Sequence, residues 1–443
     1  MAEDPPGDFA GRFLGTLATN VAIGLVGLAT GLIAARFLGP TLRGELAAMQ
    51  LWPTALATIA VLGLPKALVY FYARPGSSGS VFAMTSVVLS SLAALVMITA
   101  GWFLLPVVLA AQSEEVIRGA RLVLIVLLNA ALFLPYHAFQ GRGEFRRWNL
   151  FRLIPPVIWL TILVVFTFAG KKDPLSLALT FAISMLVFSV ASLFWIVRVK
   201  LGPPYRPNRR HAAGLLRYGF PNLLAEAPNT INLRLDQLLI AALVDSRLLG
   251  LYVVAVSWSG ILKPIASALG SPLFPQIAGE GDVGRQLDLF ARGIRLAILL
   301  VAGSSILLLV VTPFGLPLLF GSAFSEATTA AIILVLATGV LSVGEVAQEG
   351  VRGLGQPSAV GWAQLVGATA TVVSLVILLP RLEIVGAAVA SLLGYSATTA
   401  FLLHSAIRGR RVNWSQLILP RRDDIALAIG AVRAFRGRAG SQE

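Results

Sequence analysis

The chain has 443 residues, 57% of them hydrophobic and 13% charged, against about 25% charged in an ordinary soluble protein. Neither a water-soluble globule nor a disordered chain fits that balance. Zero cysteines exclude a disulfide framework, a thiolate metal site and a cysteine nucleophile, and His137, His211 and His404 leave little for an imidazole cluster. The net charge of +14 rests on 30 Arg and 5 Lys, and where those charges sit decides between nucleic acid and an anionic membrane leaflet.

In chain order, Met1–Asp8 carries Glu3, Asp4 and Asp8 where a signal peptide would be basic. Residues 1–12 therefore read as a short polar cytoplasmic extension, not a cleaved leader. Twelve apolar runs follow, each near the ~20 residues that cross a ~30 Å hydrocarbon core as helix. In the first half they are Phe13–Ala35, Leu46–Tyr72, Ser80–Leu109, Ile117–Gln140, Phe151–Gly170 and Leu175–Val197. In the second they are Leu215–Leu243, Leu248–Ile277, Ile294–Phe314, Glu326–Gly350, Ala359–Leu379 and Ile384–Ile407. Period-two alternation is missing, so the spans are helices and not barrel strands. Pro53, Pro65, Pro135, Pro155, Pro156 and Pro264 fall inside them and are expected to kink or pack, not to end them.

With the N-terminus inside, 24 of the basic residues lie in inner loops and the tail, 8 in outer loops, and Lys66, Arg234 and Lys263 within spans. That asymmetry orients the protein with both termini in the cytoplasm and accounts for the charge without nucleic acid, and the low Lys and high Arg and Ala content suits a prokaryotic plasma membrane. The Pro- and Arg-rich linker 199–213 divides the chain into an N-terminal six-helix bundle, 13–198, and a C-terminal one, 214–407. The halves echo one another weakly. Gly44-Glu45-Leu46-Ala47 matches Gly250-Leu251-Tyr252-Val253 at an offset of 206 residues. Gly63-Leu64-Pro65 matches Gly270-Ser271-Pro272 at 207, and Gly141-Arg142-Gly143 matches Gly353-Leu354-Gly355 at 212. Pseudo-symmetric helical halves are a transporter architecture. The basic tail, 408–443, spaces Ile425, Ile429 and Val432 as an interfacial helix would, or is simply frayed.

Polar residues inside a membrane are costly and so mark candidate sites. At roughly 100° per residue, Asn222, Glu226, Asn229, Asn232 and Asp236 fall on one face of the seventh span, with Arg234 off it. That stripe either lines a hydrophilic cavity or ties the helix to its neighbours. Asn20, with Thr16 and Thr19, is a smaller patch on the first span. Lys66 and Lys263 stand beside prolines in the second and eighth spans, where an ammonium could hold an anion such as pyrophosphate or could snorkel or pair with a carboxylate. Glu345 and Glu349 with Arg352 form either a proton or cation site or a helix-end ion pair. No nucleotide loop, zinc motif or other catalytic signature is present, and neither metal nor cofactor is expected.

Ala35-Arg36-Phe37-Leu38-Gly39-Pro40 and Arg43-Gly44-Glu45-Leu46-Ala47 resemble the first helix junction of polysaccharide-export flippases. These belong to the multidrug/oligosaccharidyl-lipid/polysaccharide exporter superfamily. Leu235-Asp236-Gln237-Leu238-Leu239-Ile240, Leu249-Gly250-Leu251-Tyr252, Pro275-Gln276-Ile277-Ala278 and Gly353-Leu354-Gly355-Gln356 are similar to later parts of that family. The lipid II flippase subgroup differs in usually having fourteen spans, and drug-extruding members in carrying an acidic residue in helix one. The resemblance implies an all-α, V-shaped, alternating-access transporter. It also implies an undecaprenyl-pyrophosphate-linked oligosaccharide as cargo, carried from the inner to the outer leaflet for cell-surface polysaccharide. Glycosyl transferases or a polymerase of the same pathway would be its partners, besides the phospholipid membrane. The competing readings are a cation-coupled small-molecule exporter, a membrane-embedded polymerase or ligase, for which the outer loops are too short, and a non-transporting scaffold.

Overall fold

The structure, a computed structural model, describes residues 6–74, 79–408 and 414–419. Of these, the side chains of 6–14, 225–232, 265–268 and 271 are not described. The described residues are helical throughout: α1 Pro6–Ala60, α2 Leu64–Tyr72, α3 Val81–Val108, α4 Glu114–Val123, α5 Val126–Phe133, α6 His137–Gly141, α7 Phe145–Phe168 and α8 Pro174–Phe194. After them come α9 Arg209–Asn232, α10 Leu235–Leu243, α11 Ser246–Ser259, α12 Lys263–Ala278, α13 Val283–Phe320, α14 Thr328–Gly353, α15 Pro357–Ile407 and α16 Trp414–Ile418. Among the described residues, 8 helices or helix groups are long and apolar enough to cross a bilayer, so the chain is a multi-pass membrane protein. The two longest are broken, α1 at Gly39 (φ 74°) and α15 at Glu383 (φ 48°), and each is long enough for two of the expected runs. The pairs α9–α10 and α11–α12 cover the remaining two expected runs.

Helix is the only arrangement here that satisfies the backbone within hydrocarbon. The side-chain hydroxyls follow the same rule. Thr30, Thr54, Thr161, Thr371 and Thr398 each donate to the carbonyl four residues back, at 2.6–3.1 Å. Large apolar side chains stand outward for lipid, Phe168 at 89% and Phe314 at 79% exposure among them. In water such a surface would aggregate; in a bilayer it is the solvated face.

The span ends depart from expectation where backbone geometry intervenes. Helix one begins at Pro6, so part of the expected polar extension is already helical. Leu62 and Gly63 take left-handed φ values (53° and 67°) and split the second span, and Pro65 begins α2 instead of kinking a continuous helix. Pro264 likewise stands in the first turn of α12, and Pro135 lies in a 3₁₀ turn, Leu134–Tyr136. Proline lacks an N–H, which makes the first helical turn its cheapest position. Pro53, Pro155 and Pro156 do lie within helices.

The linker is tied down along much of its length. Trp195–Leu201 forms a π-helix. Ser80 Oγ donates to the carbonyls of Gly202 (2.9 Å) and Pro204 (3.3 Å), Arg142 to that of Lys200 (3.2 Å), and the Asn208 N–H to Thr85 Oγ1 (3.2 Å).

The chain separates into two compact units, 1–253 and 254–443. In the first, Leu64, Leu68, Tyr72, Phe139, Phe151 and Leu215 build the core where α2, α6, α7 and α9 meet. The echo at offset 206 is a physical contact in this unit: Gly44 packs on Gly250, and a Cβ on either would strike the other's helix backbone. In the second unit, Leu273, Phe290, Ile294, Val346, Val351 and Leu402 form the core of α12–α15. The start of the tail docks there through buried Leu417 and a 2.8 Å hydrogen bond from Arg295 to the Gln416 carbonyl. Ile425, Ile429 and Val432 lie outside the described residues.

Candidate functional site

The polar cluster with the most defined geometry lies in the first unit, on α1, α2, α6 and α7. Asn149, 7% exposed, donates to Thr16 Oγ1 at 3.1 Å. One turn on, Arg152 donates to Asn149 Oδ1 (3.3 Å) and to Asn20 Oδ1 (2.7 Å), its guanidinium 4.4 Å from the centre of the Trp148 ring. The i, i+3 spacing of Asn149 and Arg152 puts both on the side of α7 that faces α1. His137 on α6 lies within electrostatic reach of both Lys66 on α2 and Arg152 on α7. Arg152, two amides and a threonine hydroxyl are thus joined by hydrogen bonds, with His137 beside Tyr136 and within electrostatic reach of Arg152 and of exposed Lys66. A guanidinium held by two amide oxygens can still present its remaining N–H groups to an oxyanion. Beside the cluster a cavity of about 960 Å³ opens between α1 and the start of α7.

Asn20 and Lys66, expected from the sequence, belong to this cluster. Arg152 and Asn149 were not expected in it, because the span was started at Phe151 and its arginines counted as loop charge. The signal was their spacing, which continues the helical face across that boundary.

The stripe on the seventh span is not one continuous face. The helix stops at Asn232, residues 233–234 form a turn, and α10 restarts at Leu235, so the 100° register does not carry through to Asp236. Asp236 is packed, 3% exposed: Tyr252 donates to its Oδ2 at 2.6 Å and the Gln237 N–H to its Oδ1 at 2.7 Å. Arg234 is exposed at the turn. Asn222 Nδ2 donates to its own helix, to the Tyr218 carbonyl at 2.7 Å. The side chains of Glu226, Asn229 and Asn232 lie outside the described residues.

In the second unit, Arg352 donates to Glu349 at 2.8 Å, both partly exposed, as a helix-end ion pair would. Gln364 donates to Gln348 at 3.0 Å in the buried interface of α14 and α15. Glu345, one turn from Glu349, interacts electrostatically with it and with exposed Lys263 on α12. Among the described residues, no group of three or more His, Cys, Asp or Glu could hold a metal ion.

Residues 13–279 match a family model described as polysaccharide biosynthesis protein. Over 224 residues the chain is 24% identical to the probable low-salt glycan biosynthesis flippase Agl15 of Haloferax volcanii, covering 50% of this chain. The chain spans about half of that curated relative's length, 48%. Among solved structures, lipid II flippase MurJ in an inward closed conformation is similar with a TM-score of 0.75, at 14% identity over 95% of this chain and 91% of that one. An inward-facing multidrug resistance MATE family transporter of the MOP superfamily gives a TM-score of 0.68, at 16% identity over 88% of this chain and 98% of that one. At these identities the likeness establishes an all-α fold shared with transporters.

Proposed function

We propose, from the premise that the chain belongs to the polysaccharide biosynthesis protein family, that it flips a polyprenyl-pyrophosphate-linked oligosaccharide from the inner to the outer leaflet. The observation that carries this reading is the hydrogen-bonded cationic cluster of Asn20, Asn149 and Arg152, with Lys66 and His137 beside it. A pyrophosphate crossing hydrocarbon needs compensating charge. Lys66 and Arg152 supply it, and the amides and Thr16 offer the neutral hydrogen bonds a sugar requires. No covalent step is needed, so no residue is assigned a catalytic role.

Alternating access between two six-span halves, 13–198 and 214–407, is the working mode we assign. Cytoplasmic termini are proposed from the arginine asymmetry, and a prokaryotic plasma membrane from the low Lys and high Arg and Ala content. Asn222, Glu226, Asn229, Asn232 and Arg234 are proposed as cargo contacts along the path, Asp236 as a structural anchor of α10, and Lys263 as a second cationic contact. Partner glycosyl transferases or a polymerase would supply and consume the cargo.

Ion coupling is assigned to Glu345 in preference to Glu349, whose carboxylate is taken by Arg352. The same carboxylate supports the second reading, a cation-coupled exporter of small molecules. The test is reconstitution in liposomes with a short lipid-linked oligosaccharide. Lys66→Gln and Arg152→Gln should each slow appearance of cargo in the far leaflet by about tenfold or more, the effect of removing one charge-assisted contact. Unchanged rates in both would remove the cluster from the path, and export of cationic drugs without lipid-linked sugar would favour the second reading.

A further inference from the structure

We propose that the cavity between α1 and α7 is a binding site for an anionic phospholipid, with the phosphodiester on Arg146 and Arg147 and the acyl chains along α7. This goes beyond cargo transport and depends only on the chain lying in a bilayer. The cavity, about 960 Å³, is lined by Gly15 and Thr19 of α1 and by Glu144, Arg146, Arg147 and Leu150 around the start of α7. It is large enough for a lipid head group. Asn149, hydrogen-bonded to Thr16, pins the two helices together at its floor.

Three observations favour a singly charged lipid. First, the charge balance: Arg147 is ion-paired with Glu144, and Arg146, exposed, has no hydrogen-bond or ion-pair partner among the described residues. Among the described residues the lining therefore carries one net positive charge, which a phosphodiester neutralises. A pyrophosphate would bring excess negative charge beside the Glu144 carboxylate. Second, the first turn of α7 holds Arg146 and Arg147 and no acidic residue, and its N-cap residue, Glu144, makes no side-chain cap and pairs with Arg147 instead. Cations are disfavoured at the positive end of a helix, and an anion seated there relieves both the dipole and the arginine repulsion. Third, Leu150, which lines the cavity, and Val157, about two turns further along the same face of α7, are exposed apolar side chains. They give acyl chains a surface continuous with the arginine rim, which a free phosphate would not need. The leaflet is the arginine-rich one, where anionic lipids attract basic residues.

The experiment uses the purified full chain in phosphatidylcholine nanodiscs doped with phosphatidylglycerol, and native mass spectrometry to count the phosphatidylglycerol retained. Arg146→Gln with Arg147→Gln should lower retention by about tenfold or more. Arg209→Gln with Arg210→Gln, exposed arginines elsewhere, should leave it within about twofold, and Arg146→Lys should keep most of it. If the double variant does not fold, Arg146→Gln alone is read. Short-chain phosphatidylglycerol should compete, and inorganic phosphate at equal concentration should not. Equal loss in both arginine pairs, or no loss in either, would overturn the proposal in favour of diffuse surface charge. Displacement by farnesyl pyrophosphate at lower concentration than by short-chain phosphatidylglycerol would overturn it in favour of a pyrophosphate site. Lipid retention and oligosaccharide flipping are separate readouts, so either assignment can fail alone.

Discussion

Alanine at Gly44 should destabilise the first unit out of proportion to the single carbon it adds. An ideal Cβ there would stand 1.6 Å from the Ser246 carbonyl oxygen and 2.8 Å from the Gly250 nitrogen. A carbon and a carbonyl oxygen settle at about 3.3–3.6 Å, so the two backbones would have to part by roughly 1.7 Å. No side chain can swing away, because every atom struck is main chain. Gly250→Ala meets the same obstacle from the other side, its Cβ 1.9 Å from the Pro40 oxygen. Close approach through small residues is a main source of helix affinity in lipid, where no hydrophobic force draws helices together. Overpacking costs about 1–3 kcal/mol. For a unit of this size a loss of about 2–3 kcal/mol lowers the unfolding midpoint by roughly 5–10 °C. The assay is thermal unfolding in detergent at one scan rate, since the unfolding of such proteins is commonly irreversible. Both glycines guard one contact, so the double variant should lose clearly less than the sum of the two. A midpoint within about 1 °C of wild type for Gly44→Ala, or additive losses in the double variant, would refute the reasoning.

Gln112 donates to the carbonyls of Ala241 (2.9 Å) and Val244 (2.6 Å) and accepts from Ser246 Oγ (2.6 Å). Gln112→Ala strands those groups and should cost about 2–3 kcal/mol, with faster amide exchange at 244–249; a change under about 0.5 kcal/mol would refute it. Asp173 caps α8, accepting from the N–H groups of Leu175 (3.0 Å) and Ser176 (3.3 Å) and from Ser176 Oγ. Partial burial pushes its carboxyl up, but the bonds from Ser176 and Leu175 and the nearby Lys171 outweigh that and hold it below its ordinary 3.8. A depressed value in the folded state stabilises at pH above the unfolded value and is lost as pH falls through the folded one. Asp173→Ala should therefore cost about 1 kcal/mol at pH 7, with the gap to wild type closing below about pH 4; a constant gap down to pH 3 would contradict this. Glu383 sits at φ 48°, ψ −131°, a region that suits glycine. Glu383→Gly should raise stability by about 1 kcal/mol, and a loss in equilibrium unfolding would show that the carboxylate matters more than the strain.

Much of the helical layout was legible because hydrocarbon leaves one solution for the backbone, and apolar runs record it directly. Breaks inside those runs were less legible, because Gly39, Gly63 and Glu383 act through φ, which hydropathy does not register. The Glu349–Arg352 pair could be read from its i, i+3 spacing, since both partners share one uninterrupted helix. The helical register cannot be carried to Asp236 for the converse reason: its helix is interrupted by a turn two residues before it. Asn149 and Arg152 were less legible because α7 begins at Phe145, six residues before the apolar run starts at Phe151, and hydropathy does not register a polar stretch of the same helix. The meeting of Gly44 with Gly250 was present as a weak echo, but an echo states likeness and not contact.

The chain has no cysteine, so an introduced thiol reports on one position alone. The most direct test of the account is Asn20→Cys in proteoliposomes, probed with a membrane-impermeant maleimide, with Leu25→Cys as the lipid-facing comparison. A wet, cationic path along α1 and α7 predicts rapid labelling at residue 20, protection by a prenyl pyrophosphate, and little labelling at residue 25. Asn20→Cys that stays inert to the reagent, with and without cargo, would contradict it.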